Sequence, residues 1–179
     1  MDNKMDSKTL KFALSNLLII FAIATRFLPH PPNFTAVIAV GIFAGFLFKN
    51  KIFAYVLPII AMIASDLILG FHSTIWAVYF ALILAAIIGS QIKKANIGNV
   101  ALSSLISAVI FFIITNFAVW MSGIMYPNNI AGLISCYISG IPFFGYTLLS
   151  AITYSLILFE LYSLAEKYIL SRNINKQLQ

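Results

Sequence analysis

Eight residues of the kinds that hold or transform small molecules stand at three places in the chain. The first is the stretch 26–35, Arg-Phe-Leu-Pro-His-Pro-Pro-Asn-Phe-Thr, which sets a guanidinium (Arg26), an imidazole (His30) and an amide (Asn33) among three prolines. Proline fixes φ and removes a backbone donor, and it pushes the preceding residue toward extended conformations. This segment is therefore a stiff, non-helical connection able to present polar groups in fixed positions. The second place carries Asp66, His72 and Trp76, and the third Asn116 and Trp120, which are four apart and share a helix face. A cation and a carboxylate at the borders of apolar runs are costly alone, so they pair with each other or with a ligand. An Arg26–Asp66 pair is the first expectation. Imidazoles and amides would then anchor polar atoms of a bound molecule, and the indoles of Trp76 and Trp120 would wall it or belong to an interfacial aromatic belt.

The elements that position these residues follow from composition. The chain has 179 residues, of which 61% are hydrophobic and 9% charged, which excludes an ordinary soluble domain. Its apolar runs lack the period-two alternation of an outer-membrane barrel, so they read as helices. The expectation is an all-α integral membrane protein, residues 1–179 forming a single transmembrane domain with spans near 10–28, 34–48, 52–70, 74–92, 98–121 and 145–168. The second run is short for a crossing and must end below the surface or lean on its neighbours. Pro58 should kink the third span. Ala77, Ala81, Ala85 and Gly89 form one small-residue ridge, and Gly41 and Gly45 another, suited to close helix packing or to docking a second membrane protein. The connection 122–145 is too apolar for water and reads as an interfacial or re-entrant segment divided by Gly132, Gly140 and Pro142, a lid or a surface helix.

Lysine and arginine cluster in alternate connections and in both tails, with Arg26 the exception. The positive-inside rule puts both termini in the cytoplasm of a multi-pass inner-membrane protein. The net charge of +6 is thus a topology signal and not a nucleic-acid surface. Lys4, Lys8 and Lys11 before an apolar run ending in Ala22-Ile-Ala24 imitate a signal peptide, yet a retained first helix completes the charge pattern. With that topology the eight residues fall on one, extracytoplasmic side, where they would line an amphipathic pocket.

Other chemistry is thin. There is no Gly-x-Ser-x-Gly elbow and no phosphate-binding glycine loop. His30, His72 and Asp66 are metal-ligand and acid–base types, so an intramembrane enzyme or a metal-handling membrane protein is the alternative reading. Cys136 reads as a small apolar residue and Glu160 as a snorkelling or helix-paired carboxylate near the inner interface. Asn33-Phe-Thr35 matches a glycosylation sequon, and a cap for the second helix is its simpler role.

Four motifs carry a resemblance: Arg26-x-Leu-Pro-His-Pro-Pro-Asn-Phe-Thr35, Ser65-Asp-Leu-x-Leu-Gly-x-His72, Asn116-Phe-x-Val-Trp120 with Met125-Tyr-Pro127, and Cys136-Tyr with Ile141-Pro-Phe-Phe144. On these the chain resembles an uncharacterised bacterial family of membrane transport proteins, similar in organisation to the substrate-binding S components of energy-coupling-factor (ECF) vitamin transporters. The resemblance implies a six-helix S-component-like bundle that binds a vitamin-like molecule from outside, gated by the loop between its first two helices. It also implies an energising transmembrane protein with two ATPases as partner. S components dock through an Ala-x-x-x-Ala ridge on the first helix, whereas here Ala22 is followed by Arg26 and Ala24 by Leu28, which leaves a solitary binder open. The function expected is small-molecule binding for transport, with no catalytic residue, metal or cofactor assigned.

Overall fold

The computed structural model describes residues 7–177, with side chains described for 13–165 and for Lys167. Lys4 lies outside the described residues, and Lys8, Lys11, Arg172 and Lys176 outside the described side chains. Six helices follow one another: α1 (Ser7–Phe27), α2 (Val37–Leu47), α3 (Lys51–Leu69), α4 (Ile75–Gly89), α5 (Ile97–Met121) and α6 (Ile130–Gln177). Local chemistry sets several of these ends. Asn50 accepts from the Phe53 backbone N–H at 3.2 Å and Asn96 from that of Asn99 at 2.8 Å, so each satisfies an orphan donor at the start of α3 or α5. α3 stops at Gly70, whose φ of 97° lies outside the helical range. It runs on through the buried Pro58 without interruption.

Three helical stretches, Lys51–Leu69, Ile97–Met121 and Ile130–Ala165, are long and apolar enough to cross a membrane. Ala13–Phe27, Val37–Leu47 and Ile75–Gly89 are apolar but shorter. The shortest is the centre of the molecule. α2 has 11 residues, about 16 Å at helical rise, and its residues from Val37 to Gly45 are all buried. A helix that is apolar on every side belongs inside a bundle, and α2 packs against each of the other five helices.

The ridge Ala77, Ala81, Ala85 and Gly89 is buried, and it faces α2. A Cβ added to Gly45 would run into the Ala86 carbonyl oxygen, and one added to Gly89 into the Ile42 carbonyl. The small residues are therefore an internal seam where two backbones touch, and no docking face is built from them. On the opposite side of α2, Phe43 and Phe46 meet Phe159 of α6 at ring-centre distances of 5.1 and 4.9 Å. Phe21 of α1 meets Tyr154 of α6 edge to face at 5.7 Å, which closes the ring of helices around α2.

One expected element is replaced. Residues 130–144 do not form a separate interfacial or re-entrant segment; they are the first turns of a continuous α6 of 48 residues. The three residues that suggested breaks sit inside the helix. Gly132 lies where a side chain would strike the Pro127 carbonyl, and Gly140 where it would come within 2.6 Å of the Asn116 amide oxygen and 2.9 Å of the Phe112 ring. Gly140 serves the close approach of α5 and α6, and Gly132 that of the connection between them. Pro142 is carried within the helix, as apolar bundles tolerate when neighbouring groups satisfy the freed carbonyl.

Candidate functional site

The loop joining α1 to α2 is held at both its root and its tip. Thr25, buried in the last turns of α1, accepts from the Ala36 N–H at 3.1 Å and donates to the Ala22 carbonyl at 2.9 Å. The cap of α2 thus comes from the preceding helix, and the sequon residues Asn33 and Thr35 do not supply it: Ala36 stands at the N-cap. Between these anchors Asn33 takes the left-handed conformation, φ 64°, in which Asn is one of the few tolerated side chains. Phe34 N–H bonds back to the Pro31 carbonyl at 3.0 Å. The tip is fastened to α6, where Ser150 donates to the Asn33 carbonyl at 3.3 Å and Phe34 packs on Tyr154 at 5.6 Å. The imidazole of His30 lies 2.7 Å by Nδ1 from the Pro31 carbonyl, which requires the proton on that nitrogen and leaves Nε2 without a partner among the described residues.

Beneath the loop Arg26 reaches from α1 to α3. Its Nη2 is 2.6 Å from Asp66 Oδ1, while Nη1 donates to Ser65 Oγ at 2.6 Å and approaches the Met62 sulfur at 3.1 Å. Asp66 is 1% exposed and its other oxygen accepts from the Tyr79 hydroxyl of α4 at 2.9 Å. Both carboxylate oxygens are therefore spoken for, and three helices are tied at one point. Arg26 keeps 17% of its side chain exposed, toward a cavity.

That cavity, about 260 Å³, is lined by Arg26, His30, Asn33, Thr35 and His72 together with Val37, Met62, Leu69, Val78 and Phe111. A second of about 270 Å³ adjoins it, sharing Asn33, His72, Val78 and Phe111. It continues between α5 and α6 along Phe112, Thr115, Asn116, Val119, Gly140, Phe143 and Thr147. The two form one cleft with a basic and polar end under the loop and an aromatic end between the last two helices. Asn116 donates to the Phe112 carbonyl at 2.8 Å, and no donor among the described residues reaches its amide oxygen, the atom that Gly140 leaves room for.

Residues 6–174 match a family described as being of unknown function, DUF6580. The chain belongs to the DUF6580 family. No curated protein and no solved structure matches it. The matched span holds all five residues from the earlier expectation that line the cleft in this DUF6580 chain: Arg26, His30, Asn33, His72 and Asn116. Asp66 belongs to the site through Arg26, sealed behind it.

The tryptophans do not line the cleft. Trp76 is half exposed on α4, and Trp120 turns its N–H to the carbonyls of Pro127 and Asn129, 3.1 and 3.2 Å away, tying α5 to the turn before α6. The aromatic wall is made by Phe111, Phe112 and Phe143 instead. Sequence reasoning had Phe143 only within the 141–144 motif and passed over Phe111 and Phe112, with Thr115, Thr147 and Tyr79, because a phenylalanine or a helix-bonded threonine in a wholly apolar run carries no periodic signal of which face it takes. Thr115 and Thr147 each donate to their own helix, to the carbonyls of Phe111 and Phe143. Cys136 is buried with its thiol on the Asn116 carbonyl at 3.3 Å, and Glu160 lies exposed on α6; neither lines the cleft. His30 and His72 share a cavity, but among the described residues no three His, Cys, Asp or Glu side chains converge as metal ligands. The carboxylate nearest in role, Asp66, is already engaged on both oxygens.

Proposed function

We propose that this DUF6580 protein is a multi-pass inner-membrane protein that holds a vitamin-like small molecule in the cleft under the α1–α2 loop, as the substrate-binding subunit of a transporter does. In this reading the bundle is S-component-like, both termini are cytoplasmic, and the cleft opens to the extracytoplasmic side. The observation that carries it is the cleft itself: polar groups from the loop, α1, the α3–α4 connection and α5 converge on one continuous space whose far end is apolar and aromatic. Ligand sites are built this way, with a few polar anchors in an otherwise apolar hollow. Protein groups that merely locked helices would be spent on one another. Asp66 and Tyr79 are so spent, whereas the amide oxygen of Asn116, Nε2 of His30 and part of the Arg26 guanidinium have no partner among the described residues. The loop acts as a gate that opens by releasing Ser150 and Tyr154 from Asn33 and Phe34. The protein binds and passes on its ligand and performs no bond chemistry.

An energising partner would meet a surface other than the Ala77–Gly89 ridge, which is enclosed, and α1 carries no Ala-x-x-x-Ala ridge to offer. The reading therefore includes a protein that works alone as well as one that engages a coupling protein and ATPases. Native mass spectrometry of the protein in nanodiscs, incubated with a panel of water-soluble vitamins and their precursors, tests it. One ligand should be retained by the wild type and lost in Val78→Phe, whose ring would enter the space the two cavities share, with an unchanged melting transition confirming the fold. Retention of nothing from the panel, or equal retention by Val78→Phe, would overturn the assignment of this cleft.

A further inference from the structure

The cleft is asymmetric in charge as well as in polarity. No carboxylate lines either cavity among the described residues; Asp66, the one acidic group close by, is 1% exposed and holds both Arg26 and Tyr79. A cationic ligand would leave water for a space that offers no opposite charge, which is heavily unfavourable. The opposite holds for an anion. Of the five N–H groups of a guanidinium, those of Arg26 that meet Ser65, Met62 and Asp66 are used. The remainder have no protein partner among the described residues, and the side chain, 17% exposed, borders the cavity. His30 and His72 stand on the same cavity, and Phe111, which lines both cavities, leads on to Phe112 and Phe143 in the second.

We propose that the cleft selects a small carboxylate with a flat apolar body, the carboxylate lodged beside Arg26, His30 and His72 and the body against Phe111, Phe112 and Phe143. This names the ligand class for the function proposed above and rests on that reading. Arg26 then serves two carboxylates: its Nη2 keeps Asp66 neutralised while its unspent N–H groups take the ligand. Asp66 excludes nothing directly; its role is to hold the guanidinium at the floor of the cavity.

The test is a matched series with one body and three charges. Phenylacetate, indole-3-acetate and 2-naphthylacetate are compared with their amides and with the corresponding arylethylamines, by calorimetry on the protein in nanodiscs at fixed salt. Each acid should bind about tenfold or more tightly than its amide, the increment of a charge-assisted hydrogen bond, and the amines least of all. Arg26→Ala alone would strand a buried carboxylate, so the variant used is the double Arg26→Met, Asp66→Leu, checked for an intact melting transition. In it the ratio of acid to amide affinity should fall toward one, and Arg26→Lys should keep part of it. Amides or amines that bind as well as the acids would overturn the charge preference while leaving the cleft a binding site. If no arylacetate binds but the vitamin panel yields a neutral or cationic ligand, the inference falls and the reading beneath it stands. If both series are empty, both fall.

Discussion

Asp66 illustrates what a single buried charge demands. Taken out of water, a carboxylate must be neutralised or matched, and here it is matched twice, by Arg26 at 2.6 Å and by Tyr79 at 2.9 Å. Removing one partner leaves the other exposed to that cost. Arg26→Ala is expected to destabilise the protein by about 3 kcal/mol, and the double Arg26→Met, Asp66→Leu to recover most of it, as breaking and replacing a buried pair generally do. Tyr79→Phe should cost about 1–2 kcal/mol by removing one charge-assisted bond. Thermal unfolding in one detergent separates the three. The ion pair was legible in the sequence because Arg26 and Asp66 are opposite charges near the C-terminal ends of the first and third apolar runs, which two successive reversals of the chain bring to the same end of the bundle. Tyr79 was not legible, since a tyrosine within an apolar helix reads equally well as core or belt. The tryptophans misled for a related reason: an indole at a helix end fits a pocket wall and a structural tie alike, and Trp120 is the latter.

At the scale of elements, the contact between α2 and α4 reverses an ordinary rule. Alanine is the better helix former by up to about 1 kcal/mol, yet Gly45→Ala and Gly89→Ala each place a Cβ against a facing backbone carbonyl. Each substitution should therefore destabilise by about 2 kcal/mol, the usual penalty for overpacking, and a melting-temperature comparison with Gly98→Ala, whose surroundings are more open, checks it. The loop obeys a second expectation. Thr25→Val removes the acceptor for the Ala36 N–H and should cost about 1 kcal/mol, the common worth of a helix cap. Faster proteolysis within 28–36 would report the loosened root. Sequence spacing revealed both small-residue ridges but not their partners, because spacing defines a face and says nothing of what covers it. In α6 the same kinds of residue deceived: Gly132, Gly140 and Pro142 look like punctuation in one dimension, whereas in three Gly140 is clearance for α5, Gly132 is clearance for the turn at Pro127, and Pro142 is carried inside the helix.

For the molecule as a whole, the six apolar runs foretold six helices, and five of the six agree closely in extent, from 98–121 against Ile97–Met121 to 34–48 against Val37–Leu47. Hydropathy succeeds here because a backbone without water must bond internally. The proposed orientation yields a direct prediction. In a Cys136→Ser background, Met125→Cys should react with a membrane-impermeant maleimide on intact cells, and Lys93→Cys only after permeabilisation; both positions are exposed in the connections at opposite ends of the bundle. The reverse pattern would turn the cleft to the cytoplasm.

The enclosure of α2 bears on how such a chain is made. Eleven residues reach about half the hydrocarbon thickness, so this helix has no stable home in lipid by its own length. Its lining arrives in instalments as the ribosome proceeds: first α3, then α4, and last the ring of Phe159, against which Phe43 and Phe46 come to rest. A nascent chain truncated before Phe159 should hold its first hairpin half-wrapped and be an early target for membrane quality control, which means that the entrance of the cleft, though translated first, is finished only when the final helix is in place.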